Sequence, residues 1–578
     1  MLQCCTIILL FLPRCILIMP TMKKQRLWPE ELKTALLLFI PLFYLAAGLY
    51  FRLILDDPSL RSVDPDYVYF CTGLNMAEGH FKVAHIDHPG TPLQVLTALV
   101  FRLVWWFRGE GSGFTDDILR NPDLYLQMVN LAINLILAGA LLAAGRAVYR
   151  KTSSLTGALV IQSIPLLPFI LYEIIGRISP EQILALPIIA LTVFLIGKSQ
   201  SGLQQFTNRE ILLLALITGF GLSIKLTLLP LLLFPLVIVP GWKKKATAIS
   251  LSLLFFFLLA FPATLQIERF WHWIRDLFLY SGQYGSGEKN VVNLVQLRQN
   301  FSQMAGLQPH FTAVFILTVA TSVYGLLRYR RHNPLKYGRA VMATTVLAAI
   351  LLHALMAGKQ YAPRYIMPAM MYGPLLIFLL GTFISDLIPA KPLRWGVSLA
   401  ILLFVGWTLH AQVDVIRYTS EAFKNQIAAR KMTREHIATL EPGSLRIIAT
   451  GDYGSPFPEY ALRFFTAWAP QSLKARYNDH LAQLYPKTAL FNPIDGQLTL
   501  WGEEWNPEKI RSSGQPVYLY LEKDNDALYN QTLAKLMENQ APVTVEKELL
   551  FANPVNGEAL YRLHITPETS ISPSGNNE

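Results

Sequence analysis

Apolar runs of membrane-crossing length, separated by loops of which every second one is basic, constrain this chain more than any other feature. A helix needs roughly 17 to 25 predominantly apolar residues to cross the hydrocarbon core. Such runs fall near 33–54, 124–146, 153–172, 182–197, 210–224, 226–241, 246–263, 311–328, 338–357, 365–385 and 394–413, about eleven in all. Those at 182–197 and 226–241 are short. The bulk composition agrees: a soluble chain of 578 residues does not carry 52% hydrophobic and only 15% charged residues.

The cations give the runs a direction. Lys23, Lys24 and Arg26 precede the first, Arg146, Arg150 and Lys151 follow the second, and Lys198 and Arg209 follow the fourth. Lys243, Lys244 and Lys245 follow the sixth, Arg328, Arg330, Arg331, Lys336 and Arg339 the eighth, and Lys391 and Arg394 the tenth. Basic loops stay inside, so the N-terminus is expected in the cytoplasm and the C-terminus outside. The net charge of +11 is thus a membrane pattern, and no nucleic-acid partner is expected. Residues 92–107 are apolar enough to be mistaken for a span, which would reverse every later loop. Arg102 and the Trp105-Trp106 pair suit a helix lying along the headgroups instead.

The expected fold is an α-helical polytopic membrane protein, with a transmembrane domain over 1–413 and a soluble α/β domain over 414–578. Long outer loops are expected at 55–121, with interfacial helices, and at 264–310, where aromatic anchors surround the turn Gly282–Gly287. Strands are expected at 446–450, 517–521 and 560–564, with helices near 418–439, 456–466 and 526–538. The last dozen residues read as disordered. Cys4, Cys5 and Cys15 crowd the N-terminus and only Cys71 lies in the body, so no disulfide framework is expected. Met22, followed by Lys23-Lys24-Gln25-Arg26, reads as the start of translation. Asn300 and Asn530 begin formal glycosylation sequons.

The first outer loop carries chemistry that helix packing does not need. Val63-Asp64-Pro65-Asp66-Tyr67-Val68-Tyr69 is followed by His85-Ile86-Asp87-His88-Pro89-Gly90. Ionisable residues at the membrane edge are costly and therefore functional candidates. Residues 66–80 read as a helix with Asp66, Tyr69, Phe70, Gly73 and Ala77 on one face. Pro65 suits its first turn and Asp64 its N-cap, which leaves one acid over. Asp66, or else Asp64, is placed to take a proton from a hydroxyl nucleophile. His85 and His88 are expected to hydrogen-bond substrate or a carboxylate. The H-x-D-H spacing leaves a divalent metal open, although it is a loose ligand pattern.

Cations on the outer side run against the positive-inside bias. Arg177 and Glu181 share a short loop, where they can pair with each other or meet a lipid phosphate or a site carboxylate. Lys225 sits at an outer turn, where it either snorkels to headgroups or binds phosphate. Arg364, with Lys359 nearby, opens the tenth run; its planar fork makes it the first choice for a phosphate. Tyr69, Glu181 and Tyr365 complete the expected substrate contacts.

Taken in order, Asp64-Pro65-Asp66 with Tyr69 and Gly79, the His88-Pro89 turn, Gly221 to Lys225, and Arg364-Tyr365 with Pro368 resemble the GT-C membrane glycosyltransferases. The nearest flavour is that of the protein O-mannosyltransferases and lipid A aminoarabinose transferases, over roughly residues 33–385. The resemblance implies about this many spans, an acid of the first outer loop as catalytic base, and a polyprenyl-phosphate sugar donor. Two positions depart from the family pattern. The adjacent acid pair reads D-P-D, which leaves the base open between its two acids, and the H-P-P turn reads H-P-G.

The expected activity is inverting transfer of a sugar from a polyprenyl-phosphate donor to a hydroxyl of a glycan, lipid or protein. The expected place is the outer face of a bacterial inner membrane, with no cofactor beyond an optional divalent metal. A transporter or flippase of lipid-linked sugars is the alternative. It would carry mid-span charges and inverted repeats, neither of which the sequence has. A non-catalytic assembly protein that recruits partners through its tail is the third reading.

Overall fold

The computed structural model describes residues 29–567 except 109, 110, 112, 170, 282–284, 286, 292, 360, 389, 503, 504, 539, 541 and 542. The expected start at Met22, the C-terminal residues expected to be disordered and most of the Gly282–Gly287 turn lie outside these residues.

Among the described residues seven helices are long and apolar enough to cross a membrane: Glu30–Leu55, Pro122–Thr152, Pro180–Ser201, Pro309–Tyr329, Pro334–Lys359, Pro363–Leu387 and Pro392–Ile437. Seven of the about eleven expected runs thus form such helices, and the other four have local features that set them apart. The run at 153–172 leaves helix after Gln162, where Pro165 and Pro168 follow. Pro230 and Pro235 break 226–241 into the tight turns Leu226–Leu232 and a short helix, Leu233–Ile238, because proline lacks the amide a helix interior uses. Asn208–Ile224 is helical for 17 residues, and Trp242–Leu259 opens with three lysines. The segment at 92–107 forms the helix Thr91–Arg108. Its Leu93 and Phe101 are buried while Leu99, Leu103, Trp106 and Phe107 are exposed, and it is not among the seven.

The bundle has two chemically different ends. Arg339 donates to the Ser199 carbonyl at 2.9 Å and pairs with Asp386 at 2.8 Å, and Lys198 pairs with Glu210 at 2.8 Å. The basic loops therefore meet at one end. Ala185–Ser201, Asn208–Ile224 and Pro334–Lys359 each run from or to that end, so Glu181, Lys225 and Lys359 sit at the other.

Helix Lys391–Ile437 runs 47 residues without a break, roughly 70 Å at the α-helical rise. It carries the chain from the bundle into the C-terminal domain. The expected boundary at 413/414 falls inside it, and the helical pattern near 418–439 is its second half. Beyond it six strands form one sheet: β1 Leu445–Ala449, β2 Lys487–Asn492, β3 Gln497–Gly502, β4 Val517–Leu521, β5 Val543–Ala552 and β6 Ala559–Pro567. Their order is β3-β2-β1-β4-β6-β5, with β1 parallel to β2 and β4 and the other pairs antiparallel. Alternation along β1 sends Ile447 into a core with Leu519 and Trp505, and Ile448 into the core shared with the bundle. Helices Pro458–Ala467 and Gln471–Leu484 lie on that second face. There Phe465 stacks edge-on Phe70 of the first outer loop.

Candidate functional site

The loop after helix Glu30–Leu55 is held from two sides, and its acids lie between them. Helix Asp66–Ala77 starts one residue after Pro65, which stands at the N-cap without a side-chain cap. Asp64 is therefore not the capping residue expected. Asp66 is completely buried. Its Oδ2 meets Arg177 Nε at 2.8 Å and Nη2 at 2.7 Å, and its Oδ1 accepts the Ile178 amide at 2.7 Å. Arg177 Nη2 also donates to the carbonyls of Ser62 at 2.8 Å and Asp64 at 2.5 Å. The buried charge on Asp66 is fully matched, and the arginine fork that matches it also fixes the backbone of Asp64.

Asp64 is in the opposite state. It is half-buried, and among the described residues no donor lies within hydrogen-bond distance of its carboxylate. Burial pushes its carboxyl above the usual range, against the pull of Arg177 and Arg364. A carboxylate that is desolvated but without a hydrogen-bond donor is a stronger proton acceptor than one locked in an ion pair.

Arg177 and Glu181 do not pair with each other, as the sequence allowed. Glu181 instead takes Lys225 at 2.5 Å, both nearly buried. Lys225 Nζ lies 5.2 Å from the Tyr365 ring centroid and the Arg364 guanidinium 5.4 Å from the same ring. Tyr365 thus gathers Lys225 and Arg364 at one place, and Arg364 acts electrostatically on Asp64 and His88. Lys359 is directed elsewhere. Its ammonium donates to the carbonyls of Leu277, at 2.8 Å, and Phe278, capping the end of helix Ile267–Leu279.

The His-Pro-Gly turn closes the other flank. Gly90 has φ of +65°, and its amide donates to the Ile224 carbonyl at 3.1 Å, one residue before Lys225. A Cβ on Gly90 would stand 2.8 Å from the Tyr69 hydroxyl. Proline, fixed near φ of −65°, does not fit there, which accounts for the glycine after His88-Pro89. His85 packs edge-on Tyr69, His88 and Trp468, with centroids 5.6, 5.0 and 5.3 Å away. Burial, aided by Lys225 and Arg269, holds the His85 imidazole down at about 4. Burial, Lys225, His85 and Arg364 keep His88 well below the ordinary value. Both rings are therefore neutral hydrogen-bonding groups at physiological pH. Among the described residues no three His, Cys, Asp or Glu side chains converge as metal ligands.

Several contributors were invisible to sequence reasoning. Trp468 comes from the C-terminal domain, nearly four hundred residues away in the chain. Arg269 donates to the Ala84 carbonyl at 2.7 Å and Gln94 to the His85 carbonyl at 2.8 Å, so both shape the histidine loop. No spacing rule could single them out. Asn300 is buried with its amide on the Gly358 carbonyl at 2.8 Å, which removes it as an accessible glycan acceptor; Asn530 is exposed.

No family model matches the chain, and no curated protein matches it. Among solved structures it is similar to ArnT from Cupriavidus metallidurans. With undecaprenyl phosphate bound, the identity is 14%, covering 90% of this chain and 97% of that one, and the TM-score is 0.43. For the apo state the values are 12%, 90%, 97% and 0.46. It is also similar to the archaeal oligosaccharyltransferase AglB from Archaeoglobus fulgidus, solved with an inhibitory peptide and a dolichol-phosphate. There the identity is 11%, covering 92% of this chain and 75% of that one, with a TM-score of 0.30.

Proposed function

We propose that the protein is an inverting glycosyltransferase that moves a sugar from a polyprenyl-phosphate donor to a hydroxyl acceptor at the outer face of a membrane. The observation that supports this reading is Asp64, whose carboxylate has no hydrogen-bond donor among the described residues, within electrostatic reach of Arg364, which shares the Tyr365 ring with Lys225. Asp64 takes the proton of the acceptor hydroxyl as that oxygen attacks the anomeric carbon. The bond from that carbon to the phosphate oxygen breaks, and the phosphate leaves with the electron pair. Arg364 and Lys225 stabilise the charge that grows on it. Since the phosphate leaves as an anion, no separate acid is needed. Asp66 does not serve as the base in this scheme. Through Arg177 it holds the Asp64 backbone in place, which reverses the order of preference given by the sequence. Neutral His85 and His88, with Tyr69, contact the sugar or acceptor. The site lies at the end of the bundle opposite the basic loops, which supports an outer-face location if those loops are cytoplasmic.

The test is transfer of labelled sugar from a synthetic polyprenyl-phosphate donor by the purified protein in lipid nanodiscs. Transfer with inversion at the anomeric carbon is expected. Flux of lipid-linked sugar across liposomes without any transfer would replace this reading with the flippase alternative.

A further inference from the structure

In open α/β sheets the crevice at the carboxyl ends of neighbouring parallel strands, where the connections diverge to opposite sides, is the usual ligand site. Here that point lies between β1 and β4, since β1 leads on to β2 and β4 leads away toward β5. What meets it is part of the same chain. Glu522, just after β4, accepts from the Thr450 hydroxyl at 2.8 Å and from the Gly451 and Asp452 amides at 2.7 Å each. This fixes the turn Gly451–Ser455, which grips the first outer loop. The Val63 amide donates to the Tyr453 carbonyl at 2.7 Å, and the Ser455 amide to the Ser59 carbonyl at 2.8 Å.

Arg430, on the long helix, completes the grip. Its Nη1 donates to the carbonyls of Leu60 at 2.7 Å and Arg61 at 3.2 Å, its Nε faces Glu558 at 3.3 Å, and its Nη2 pairs with Asp452. Gly454 permits the approach: a Cβ there would meet the Arg61 carbonyl oxygen at 2.5 Å and Arg430 Nη1. The gripped residues end at Val63, immediately before Asp64. From the membrane side Arg177 holds the carbonyls of Ser62 and Asp64, so the two anchors overlap on one short stretch.

We propose that Arg430 and the Gly451–Ser455 turn are positioning elements for Asp64, so that the soluble domain sets turnover by fixing the base. This rests on the assignment of Asp64 as base, and the experiment separates the two claims. Full-length Arg430→Gln and Gly454→Ala are assayed for kcat, for KM toward donor and acceptor, and for thermal unfolding. The same is done with each change added to Asp64→Asn. Misplacing a reacting group costs rate, so kcat should fall roughly ten- to a hundredfold while KM stays within about twofold. Neither change should lower activity further in the Asp64→Asn background, because both act through that residue. Gly454→Ala removes no charge and decides the matter if Arg430→Gln does not fold. Unchanged kcat in folded Gly454→Ala, a loss expressed in KM, or full additivity with Asp64→Asn would overturn the proposal. Full activity of Asp64→Asn alone would instead overturn the assignment of the base.

Discussion

Asp66 and Arg177, 111 residues apart in sequence, meet in a buried ion pair whose arginine also holds the carbonyl oxygens of Ser62 and Asp64. One interaction therefore links the loop after helix Glu30–Leu55 to the short loop before helix Pro180–Ser201 and orients the residues next to it. Removing one partner of a buried pair leaves the other charge uncompensated, at a cost of about 3–5 kcal/mol. Asp66→Asn and Arg177→Gln should each lower the unfolding midpoint in detergent clearly. The double change should cost less than the sum. A midpoint within error of wild type in Asp66→Asn would contradict the pairing.

Gly90 offers a cleaner geometric test. Its left-handed φ costs an L-residue about 1–2 kcal/mol, and an added Cβ would also press on the Tyr69 hydroxyl. Gly90→Ala should destabilise the protein by at least that strain. Tyr69→Phe removes the atom in contact, so Gly90→Ala should be milder in a Tyr69→Phe background, as a double-mutant cycle of unfolding midpoints would show.

The buried histidines set an acid limit. His85 is held at about 4 against about 6.5 unfolded, so between these values the unfolded chain binds more protons than the folded one. Stability is then fully present above pH of about 6.5 and is lost as pH falls toward 4, by about 3 kcal/mol for His85. His88 shifts the same way. Stability measured across that window should fall with acid, and His85→Gln should flatten the slope by roughly one proton. An unchanged slope in His85→Gln would show that the ring is not buried neutral.

How much of this was legible in the sequence follows physical lines. Span positions and the helix at 91–108 could be read because composition over a long window reports the solvent. Pro230, Pro235 and the run of lysines at 243–245 are visible in the sequence too, and they shorten the apolar helices there. The strands β3 and β5 escape sequence reading because they are largely solvent-exposed, which leaves little hydrophobic contrast, and β2 because Lys487, Thr488 and Asn492 leave it only three apolar residues. Asp64, Asp66, Arg177, Glu181, Lys225 and Arg364 could be picked out as ionisable residues between apolar runs. Their partners could not, because pairing across more than forty residues, as between Glu181 and Lys225, leaves no local pattern.

Arg364 should matter on the donor side. Loss of a charge-assisted hydrogen bond to phosphate costs roughly 1.5–3 kcal/mol, about ten- to a hundredfold in kcat/KM for the donor. Arg364→Ala should show the full loss, and Arg364→Lys part of it, since lysine keeps the charge but not the fork. Equal kcat/KM for wild type and Arg364→Ala at subsaturating donor would remove this residue from the phosphate site.

The central claim is that Asp64, not Asp66, is the general base, and single-turnover sugar transfer at saturating polyprenyl-phosphate donor tests it most directly. General-base catalysis contributes about 10²–10⁴-fold, so Asp64→Asn should lose at least two orders of magnitude in the transfer rate while keeping its unfolding midpoint. Transfer at the wild-type rate by folded Asp64→Asn protein would contradict the account.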